Sequence, residues 1–234
     1  MLKETYSSKN SEYLKNNESW HVEDSPWKAD QILRMIEKNG FNPKHIVEIG
    51  CGAGVILQQL QMKLKDQDIL FEGYDISPDA HELSKGLAND KLKFFQEDLL
   101  EHNEKHFDLL LMIDVFEHVE NYLDFIRKSA KLARYKIYHI PLDIHVSSVL
   151  RGRILDARKS VGHINYFSKD LALATIEDTG QEVVDYFFTE GAMSLPNQSL
   201  RTRLGNIPRR ILGMFSKEFS AKLLGGYSLL VLAK

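Results

Sequence analysis

Three glycines within five positions form the stretch of this 234-residue chain whose residue types and spacing are best suited to chemistry. Residues 47–54 read Val-Glu-Ile-Gly-Cys-Gly-Ala-Gly, and an apolar helical pattern follows them. Glycines permit a sharp turn and let a ligand approach the backbone, while the free N–H groups of a new helix point towards that ligand. The stretch predicts a ligand-binding turn between a buried strand and a helix. The alternative is a strand-to-helix turn that binds nothing.

Carboxylates stand at the ends of successive apolar runs around this turn. Glu48 comes just before the glycines, Asp75 lies roughly twenty residues beyond them, and Asp98 and Asp114 end the next two runs. An ionised carboxylate accepts hydrogen bonds through two oxygens, which is what the two hydroxyls of a ribose require. Asp75 therefore predicts a nucleoside ligand, and the alternative for this residue alone is an acid that caps the following turn.

The residues around the glycines indicate which nucleoside to expect. A dinucleotide-binding fingerprint has a third glycine where this chain has Val55, and it binds pyrophosphate at the helix N-terminus. Glu48 would repel pyrophosphate but suits a cationic amino group. A positively charged nucleoside derivative is the better prediction. A nicotinamide-dependent dehydrogenase is the alternative from a different enzyme class.

Strands that alternate with helices must position these residues. Ser25-Pro26 and Ser77-Pro78 each place a capping residue before a proline, and Ser168 caps a later helix. The alternation predicts an α/β, Rossmann-like domain whose mostly parallel sheet has helices on both faces. Ligands bind at the carboxyl ends of such strands, so the four carboxylates are expected at one edge. The predicted strands are residues 46–49, 69–75, 91–96, 107–113, 135–140, 182–189 and 227–233.

Four motifs in this order resemble those of the class I S-adenosylmethionine-dependent methyltransferases. They are residues 47–54, Tyr-Asp-Ile-Ser at 74–77, Gln-Glu-Asp-Leu at 96–99 and Asp-Val-Phe-Glu-His-Val at 114–119. Over residues 25–142 the chain is most similar to small-molecule enzymes of the ubiquinone-pathway O-methyltransferase type. The resemblance implies a seven-stranded sheet with an antiparallel last strand beside the fifth. It also implies S-adenosyl-L-methionine as the cofactor and a small-molecule acceptor, with a hydroxyl oxygen as the expected acceptor atom.

The resemblance assigns cofactor-binding roles to individual residues. Glu48, Gly50 and Gly52 would hold the methionine part, and Asp75 would bind the ribose hydroxyls. Cys51 is interpreted as a small residue of the turn rather than as a nucleophile. The full cofactor-binding set that the resemblance implies is Glu48, Gly50, Cys51, Gly52, Gly54, Asp75, Ile76, Asp98, Leu99 and Asp114.

The remaining members of this set belong to the adenine and to the methionine amine. Ile76 would cover an adenine face, Asp98 would bind the adenine amino group with Leu99 beside it, and Asp114 would lie next to the amine. The family contains proteins that bind the cofactor without turnover, so a binding protein without activity is a further alternative.

Histidines are the expected general bases, because a hydroxyl acceptor must lose its proton and histidine titrates nearest neutrality. The candidates are His118, His145 and His163, of which His163 is preferred because it precedes the Ser168 cap where family substrate loops fall. The alternative for His118 is a structural partner, and the alternative for His163 is a hydrogen bond to neighbouring backbone. No metal site is expected, since the histidines and carboxylates lack ligand spacing such as His-x-x-x-His.

Segments that depart from the strand–helix alternation complete the predicted organisation. Residues 1–24 are interpreted as an arm or lid, and residues 25–234 as the methyltransferase domain. Residues 142–167 predict a substrate loop whose arginines fit an anionic acceptor, either lipid-linked or nucleotide-linked, although a soluble surface loop is equally compatible. Residues 195–225 form a basic amphipathic insertion that could contact a membrane; the alternative is a solvated helix covering the sheet edge.

The composition excludes several functional classes. A net charge of -3 gives no general attraction to nucleic acid, and one cysteine allows no internal disulfide. Apolar runs are too short for a membrane span, and the first residues do not resemble a secretory signal. These features predict a cytoplasmic protein that does not bind nucleic acid, and they leave its oligomeric state open.

Overall fold

The computed structural model describes residues 22–101, 105–194 and 200–234. The predicted N-terminal arm, residues 1–24, lies mostly outside this range, and only Val22–Asp24 is described, as one turn of 3-10 helix. The division into an arm and a domain of residues 25–234 therefore stays a prediction.

Seven strands form one mixed sheet, which confirms the predicted fold class. The strands are β1 (His45–Ile49), β2 (Leu70–Tyr74), β3 (Leu92–Phe95), β4 (Phe107–Ile113), β5 (Ala133–Pro141), β6 (Val183–Thr189) and β7 (Ser228–Ala233). Their order across the sheet is β3-β2-β1-β4-β5-β7-β6. Strands β1 to β5 are parallel, whereas β7 is antiparallel to both β5 and β6, as the family resemblance implied.

A topological switch point lies between β1 and β4. These two strands are neighbours, but the chain continues from β1 towards β2 and β3 on one side and from β4 towards β5 on the other. In an open α/β sheet, the crevice outside the carboxyl ends at such a point is the usual ligand site. The glycine turn follows β1 and Asp114 follows β4, so the topology brings both to this crevice.

Ten helices accompany the sheet in the described parts of the chain. Ser77 Oγ accepts a hydrogen bond from Ala80 N at 3.3 Å and Ser168 Oγ from Leu171 N at 3.4 Å, so both serines cap helices as predicted. Ser25 does not, because it is itself the first helical residue and Asp24 precedes it without a side-chain cap. The helices are α1 (Ser25–Asn39), α2 (Val55–Lys63), α3 (Pro78–Ser84), α4 (Tyr122–Ser129), α5 (Val146–Leu150), α6 (Ile154–Ser160), α7 (Lys169–Asp178), α8 (Gly191–Ser194), α9 (Leu200–Phe215) and α10 (Lys217–Leu224).

Alternate residues of the central strands pack on opposite faces of the sheet, because side chains in a strand point alternately to its two faces. Ile46 of β1 and Leu109 of β4 join one core cluster with residues of α1 and α2. Val47 and Leu110 join the other cluster with residues of α4, α7 and α10. Both faces are therefore covered, which explains why the central strands read as continuous apolar runs.

Two segments differ from the sequence prediction, and a third is helical as its amphipathic pattern predicts. The substrate loop, residues 142–167, contains the short helices α5 and α6. The pattern through Tyr122 and Ile126 predicts a helix that opens at Glu117-His118, but α4 begins only at Tyr122, after a separate 3-10 turn at Phe116–His118. The described part of the basic insertion, residues 200–225, forms α9 and α10. None of the described helices is long and apolar enough to cross a bilayer.

Candidate active site

The turn after β1 depends on glycine for reasons of packing. Gly50, Gly52 and Gly54 have backbone φ angles of 71°, 51° and 77°, a region that residues with a Cβ rarely adopt. A Cβ on Gly50 would also lie 2.7 Å from a methyl group of Val115, and one on Gly54 would lie 2.5 Å from the ring of Phe94. The packing alone accounts for these two glycines, so the glycine turn by itself does not establish a ligand site.

Asp75 links the end of β2 to the glycine turn. Its Oδ2 accepts a hydrogen bond from Gly52 N at 2.9 Å, and its Oδ1 accepts one from Ser77 N at 2.8 Å. The second bond is the turn cap that the sequence left as an alternative. Each carboxylate oxygen can accept a further hydrogen bond, so the group retains capacity for hydroxyl donors. Burial raises the pKa of the Asp75 carboxyl despite these backbone donors.

Glu48 is a buried carboxylate at the end of β1. Its residue is 1% exposed, and its Oε2 has no hydrogen-bond partner among the described residues. Burial raises the pKa of the Glu48 carboxyl well above its ordinary value; the charge of Lys28 opposes this rise and that of Asp75 adds to it. A buried acceptor without a donor is costly, so this position is suited to a ligand that brings a donor and a positive charge.

Asp114 is the carboxylate that the protein satisfies by itself. Its Oδ2 lies 2.9 Å from Lys28 Nζ of α1, and its Oδ1 lies 2.6 Å from His139 Nδ1 of β5. Although burial acts in the other direction, these two groups hold the pKa of the Asp114 carboxyl far below its ordinary value. The residue has a φ of 56°, the one positive φ outside glycine in the described ranges. His139 Nε2 is in turn 2.9 Å from Thr189 Oγ1, which extends the network to β6.

Four carboxylates at this crevice interact in two pairs, Glu48 with Asp75 and Asp114 with Glu117, and we call them the acidic crevice: Glu48, Asp75, Asp114 and Glu117. Lys28 favours the charged form of Glu48, Asp114 and Glu117. Burial raises the pKa of the Glu117 carboxyl well above its ordinary value, and the charge of Asp114 adds to this rise. Because three carboxylates share the ammonium group of Lys28, the crevice has more hydrogen-bond acceptors than this one group can satisfy. The crevice is therefore electrostatically matched to a cationic ligand.

The residues predicted for the adenine lie after β2 and β3. Ile76 is half-buried, and Asp98 Oδ1 accepts a hydrogen bond from Leu100 N at 3.1 Å. Leu99 is 1% exposed, and its side chain belongs to the hydrophobic core. The side chain of Cys51 is likewise buried in the core beneath the turn, which leaves its backbone as the part that could face a ligand.

The preferred base, His163, forms a close pair with a carboxylate. His163 Nδ1 lies 2.6 Å from Asp143 Oδ2, while its Nε2 faces Glu117 Oε1 at 3.9 Å. Backbone N–H groups of Ile164 and Asn165 donate to Glu117 O at 2.9 and 3.0 Å. The end of the substrate loop is thereby attached to the turn that follows β4, next to the acidic crevice.

The other two histidines have local hydrogen bonds. His118 Nδ1 lies 3.1 Å from Gly162 O, and burial together with the neighbouring His163 lowers the pKa of His118 to about 4. His145 Nδ1 accepts from Ser148 N at 3.1 Å and caps α5. Burial and then the charge of Arg209 lower the pKa of His145. The arrangement of His118 agrees with the structural alternative stated for it, and His145 serves as a helix cap.

A possible ion-binding group also occurs here, although the sequence predicts no metal site. One ligand atom from each of Glu117, His118 and His163 lies within 4.8 Å of the others. Glu117 is 0% exposed, and both of its carboxylate oxygens have no hydrogen-bond partner in the described part of the chain. Sequence spacing could not reveal this set, because the substrate loop supplies its third member.

Sequence reasoning identified most of the acidic crevice but missed its partners. Lys28, His139 and Asp143 were not predicted, and Glu117 was noted only as part of a motif. Lys28 stands on the apolar-patterned α1, and its pairing with Asp114 joins residues far apart in the chain. A signal for Asp143 was its position just after β5, where strand ends carry site residues.

Comparisons with known proteins agree with this geometry. Residues 20–186 match a protein family described as a methyltransferase domain. The ubiquinone biosynthesis O-methyltransferase of Yersinia enterocolitica is 28% identical over 115 residues, which cover 47% of this chain and 46% of the relative. The ajmaline N-methyltransferase of Rauvolfia serpentina is 31% identical over 98 residues, 39% of this chain and 33% of the relative. This chain thus spans less than half the length of these curated relatives.

A solved structure supports the fold over a longer range. Magnesium protoporphyrin IX methyltransferase from Synechocystis, crystallised with S-adenosylhomocysteine, superposes with a TM-score of 0.59 at 17% identity and covers 89% of this chain and 82% of that protein. The match to a methyltransferase domain counts against the alternative hypothesis, a nicotinamide-dependent dehydrogenase. Because the family match extends over well more than half of the residues and the sheet order agrees, the chain belongs to the methyltransferase domain family.

Proposed function

We propose that this chain transfers the methyl group of S-adenosyl-L-methionine to a hydroxyl oxygen of a small-molecule acceptor. The observation that carries the proposal is the buried Glu48 beside Asp75 at the switch point of the sheet, because Glu48 Oε2 has no hydrogen-bond partner among the residues that the structure describes. A ligand that combines a ribose with positive charge meets both residues, whereas a pyrophosphate would oppose Glu48. The O- and N-methyltransferase activities named for the relatives support the same reaction class.

Binding and alignment are the main tasks of the chain in this reaction. The cofactor supplies a methyl group on a positively charged sulfur. Glu48 would accept a hydrogen bond from the ammonium group, Asp75 would accept those of the ribose hydroxyls, and Ile76 and Asp98 would hold the adenine. Correct alignment of two reactants is worth about 7–11 kcal/mol in favourable intramolecular models, so positioning can supply much of the rate.

Proton removal is assigned to the Asp143–His163 pair. Asp143 holds the Nδ1 proton of His163, which leaves Nε2 as the acceptor for the proton of the hydroxyl group. The imidazolium formed in this way is stabilised by Asp143, whose Oδ2 lies 2.6 Å from Nδ1. Burial, and then the charge of His163, lower the pKa of His118 to about 4, so His118 holds a proton poorly at neutral pH.

A divalent ion at Glu117, His118 and His163 is the alternative way to activate the hydroxyl. Each histidine has its Nδ1 next to an oxygen, of Gly162 O or Asp143 Oδ2, as metal-bound histidines usually do. An ion there would polarise the acceptor oxygen and lower its pKa. In that case His163 would be a ligand and not the base.

The acceptor is proposed to be anionic and carried on a lipid or nucleotide. Arg151, Arg153, Arg158 and Lys159 surround the helices of the substrate loop and are exposed. Their charge supports an anionic group on the molecule that this loop receives. Methylation of nitrogen or carbon would produce the same cofactor contacts, so the acceptor atom must be identified from the product.

Calorimetric titration with S-adenosylhomocysteine tests the cofactor site, and labelled S-adenosylmethionine with pools of phenols, nucleotide sugars and lipid precursors tests turnover. Binding without methylation of any pool would favour a binding protein. His163→Asn and Asp143→Asn should retain cofactor binding and lower the rate by about 10²–10⁴-fold. If a chelator abolishes the activity and a divalent ion restores it, the ion replaces the base. Absence of binding at millimolar cofactor would refute the proposal.

A further inference from the structure

The outward side of α9 carries an apolar stripe. Its members recur at intervals of three or four residues, which places them on one side of a helix. Their exposed fractions exceed what a helix packed on its apolar side would show, and Met214 and Phe215 protrude almost completely. We call these five residues the outward stripe: Leu204 (68% exposed), Ile207 (50%), Ile211 (53%), Met214 (84%) and Phe215 (86%).

Polar contacts hold the inward side of the same helix. Asn206 is 1% exposed, and its Oδ1 accepts from Arg209 Nη1 at 2.8 Å. Arg209 Nη2 also donates to Leu224 O of α10 at 3.3 Å, and Ser220 Oγ of α10 donates to Arg209 O at 3.2 Å. A helix usually buries its apolar stripe and exposes its polar one. In α9 this orientation is reversed, so the described part of the chain leaves the outward stripe exposed and available to a partner.

More exposed apolar side chains lie on the elements next to α9. Phe219 of α10 is 56% exposed, and α10 packs against both α9 and α5. On α5, Val146, Val149 and Leu150 are 46%, 57% and 81% exposed. A shallow groove lined by residues of α5 also includes Lys222 of α10. Exposed apolar groups thus reach from the C-terminal helices to the substrate loop that contains Asp143 and His163.

Positive charge is concentrated in the same two segments. Residues 142–167 and 195–225 together contain ten Lys or Arg and three Asp or Glu, while the whole chain has 30 basic and 33 acidic residues. Arg203 and Arg210 are exposed on α9. Burial lowers the pKa of Arg209, and the nearby charges of Arg151 and Arg153 lower it further, so the arginines of the two segments are close together.

We propose that this face docks on an anionic phospholipid bilayer. The outward stripe would enter the boundary between headgroups and acyl chains, and the arginines would bind lipid phosphates, as interfacial amphipathic helices do. A second copy of the chain is disfavoured because two positively charged faces would meet. Nucleic acid is disfavoured because its phosphate backbone offers no apolar surface for the outward stripe. Docking itself is independent of turnover. Its consequence, the delivery of a bilayer-dissolved acceptor to the substrate loop, rests on the proposed function.

Vesicle flotation of the full chain tests the docking surface. We expect binding to vesicles of phosphatidylcholine with about one third phosphatidylglycerol, weaker binding to phosphatidylcholine alone, and loss of binding as salt increases. Phe215→Glu should lower the partition coefficient at least about tenfold, and Arg203→Glu should lower it for the anionic vesicles only. Met62→Glu is the matched control, because Met62 is 60% exposed on α2, outside these segments.

Several results would overturn the inference. They are absence of wild-type binding to the anionic vesicles, an equal loss for Met62→Glu, or a wild-type dimer that ignores vesicles and dissociates in Phe215→Glu. Titration with S-adenosylhomocysteine separates this inference from the proposed function. Vesicle binding without cofactor binding would refute the proposed function alone, whereas cofactor binding without vesicle binding would refute the docking surface alone.

Discussion

Replacing Glu48 by Gln tests whether the buried carboxylate after β1 is retained for a cationic ligand. Burial raises the pKa of the Glu48 carboxyl in the folded chain. At any pH between the ordinary pKa of glutamate and this raised pKa, the folded chain therefore keeps a proton on Glu48 that the unfolded chain releases. Across that window, the free energy of unfolding falls by about 1.4 kcal/mol per pH unit. Glu48→Gln removes this loss, so the unliganded variant should be more stable than the wild type, increasingly so as pH rises.

Ligand binding should change in the opposite direction. A charge-assisted hydrogen bond is worth about 1.5–3 kcal/mol, so Glu48→Gln should weaken S-adenosylhomocysteine binding by about 10-fold to 150-fold. The ligand's ammonium group favours the ionised form of Glu48 and thereby lowers the pKa of that carboxyl. Wild-type affinity should therefore increase as pH rises towards the pKa of the free protein, and the variant should lack this dependence.

The measurements are urea unfolding and calorimetric titration at several pH values, with Glu72→Gln as the control. Hydrogen bonds from His45, and then from Tyr74 and Lys105, lower the pKa of Glu72 to about 2 despite its partial burial. Its stabilising effect is thus complete above the ordinary pKa of glutamate and is lost as pH falls through about 2. Glu72→Gln should cost about 1–2 kcal/mol after solvent screening and leave cofactor binding intact. A destabilised Glu48→Gln variant with normal affinity would refute the reasoning.

Three further substitutions address the turn, the ribose and the ion pair. Gly54→Ala should destabilise the chain by about 2–4 kcal/mol in urea unfolding, whereas Gly86→Ala, whose Cβ would meet nothing within 4 Å, should not. Asp75→Ala should abolish most of the rise in melting temperature caused by S-adenosylhomocysteine; an undiminished rise would exclude a ribose contact. Lys28→Met should lower the free energy of unfolding by up to about 3 kcal/mol because Asp114 loses one of two partners, and no loss would show that the pair is not stabilising.

The strands could be predicted from the sequence because the sheet is covered on both faces. The run 107–113 was predicted with the bounds that β4 has, since residues 109–113 are all apolar and Asp114 ends it. Each predicted strand is present, and the largest differences concern a few terminal residues. The antiparallel β7 followed from the family resemblance, because its apolar pattern contains no information on direction.

The two short helices of the substrate loop could not be predicted. Val146, Val149 and Leu150 of α5 have helical spacing, but the helix has only five residues and these three side chains are exposed. No residue of α6 is buried, so this helix also packs little on the core. The turn at Phe116–His118 was mistaken for the start of α4. In the structure, its residues instead hold the substrate loop through the backbone oxygen of Glu117. Such contacts join distant parts of the chain and leave no local pattern.

The carboxylates of the acidic crevice differ in how far the protein itself satisfies them, and this difference ranks the proposed cofactor contacts. Asp114 already has Lys28 and His139 as partners, so a ligand amine would have to compete with an ion pair for it. Glu48 has an oxygen without a partner in the described chain and a raised pKa, so a donor placed there removes an existing cost. Among the residues that the resemblance assigns to the methionine end, Glu48 should therefore contribute most to affinity. Asp114 should act mainly by fixing Lys28 close to that carboxylate, and its replacement by Asn should weaken cofactor binding less than Glu48→Gln does.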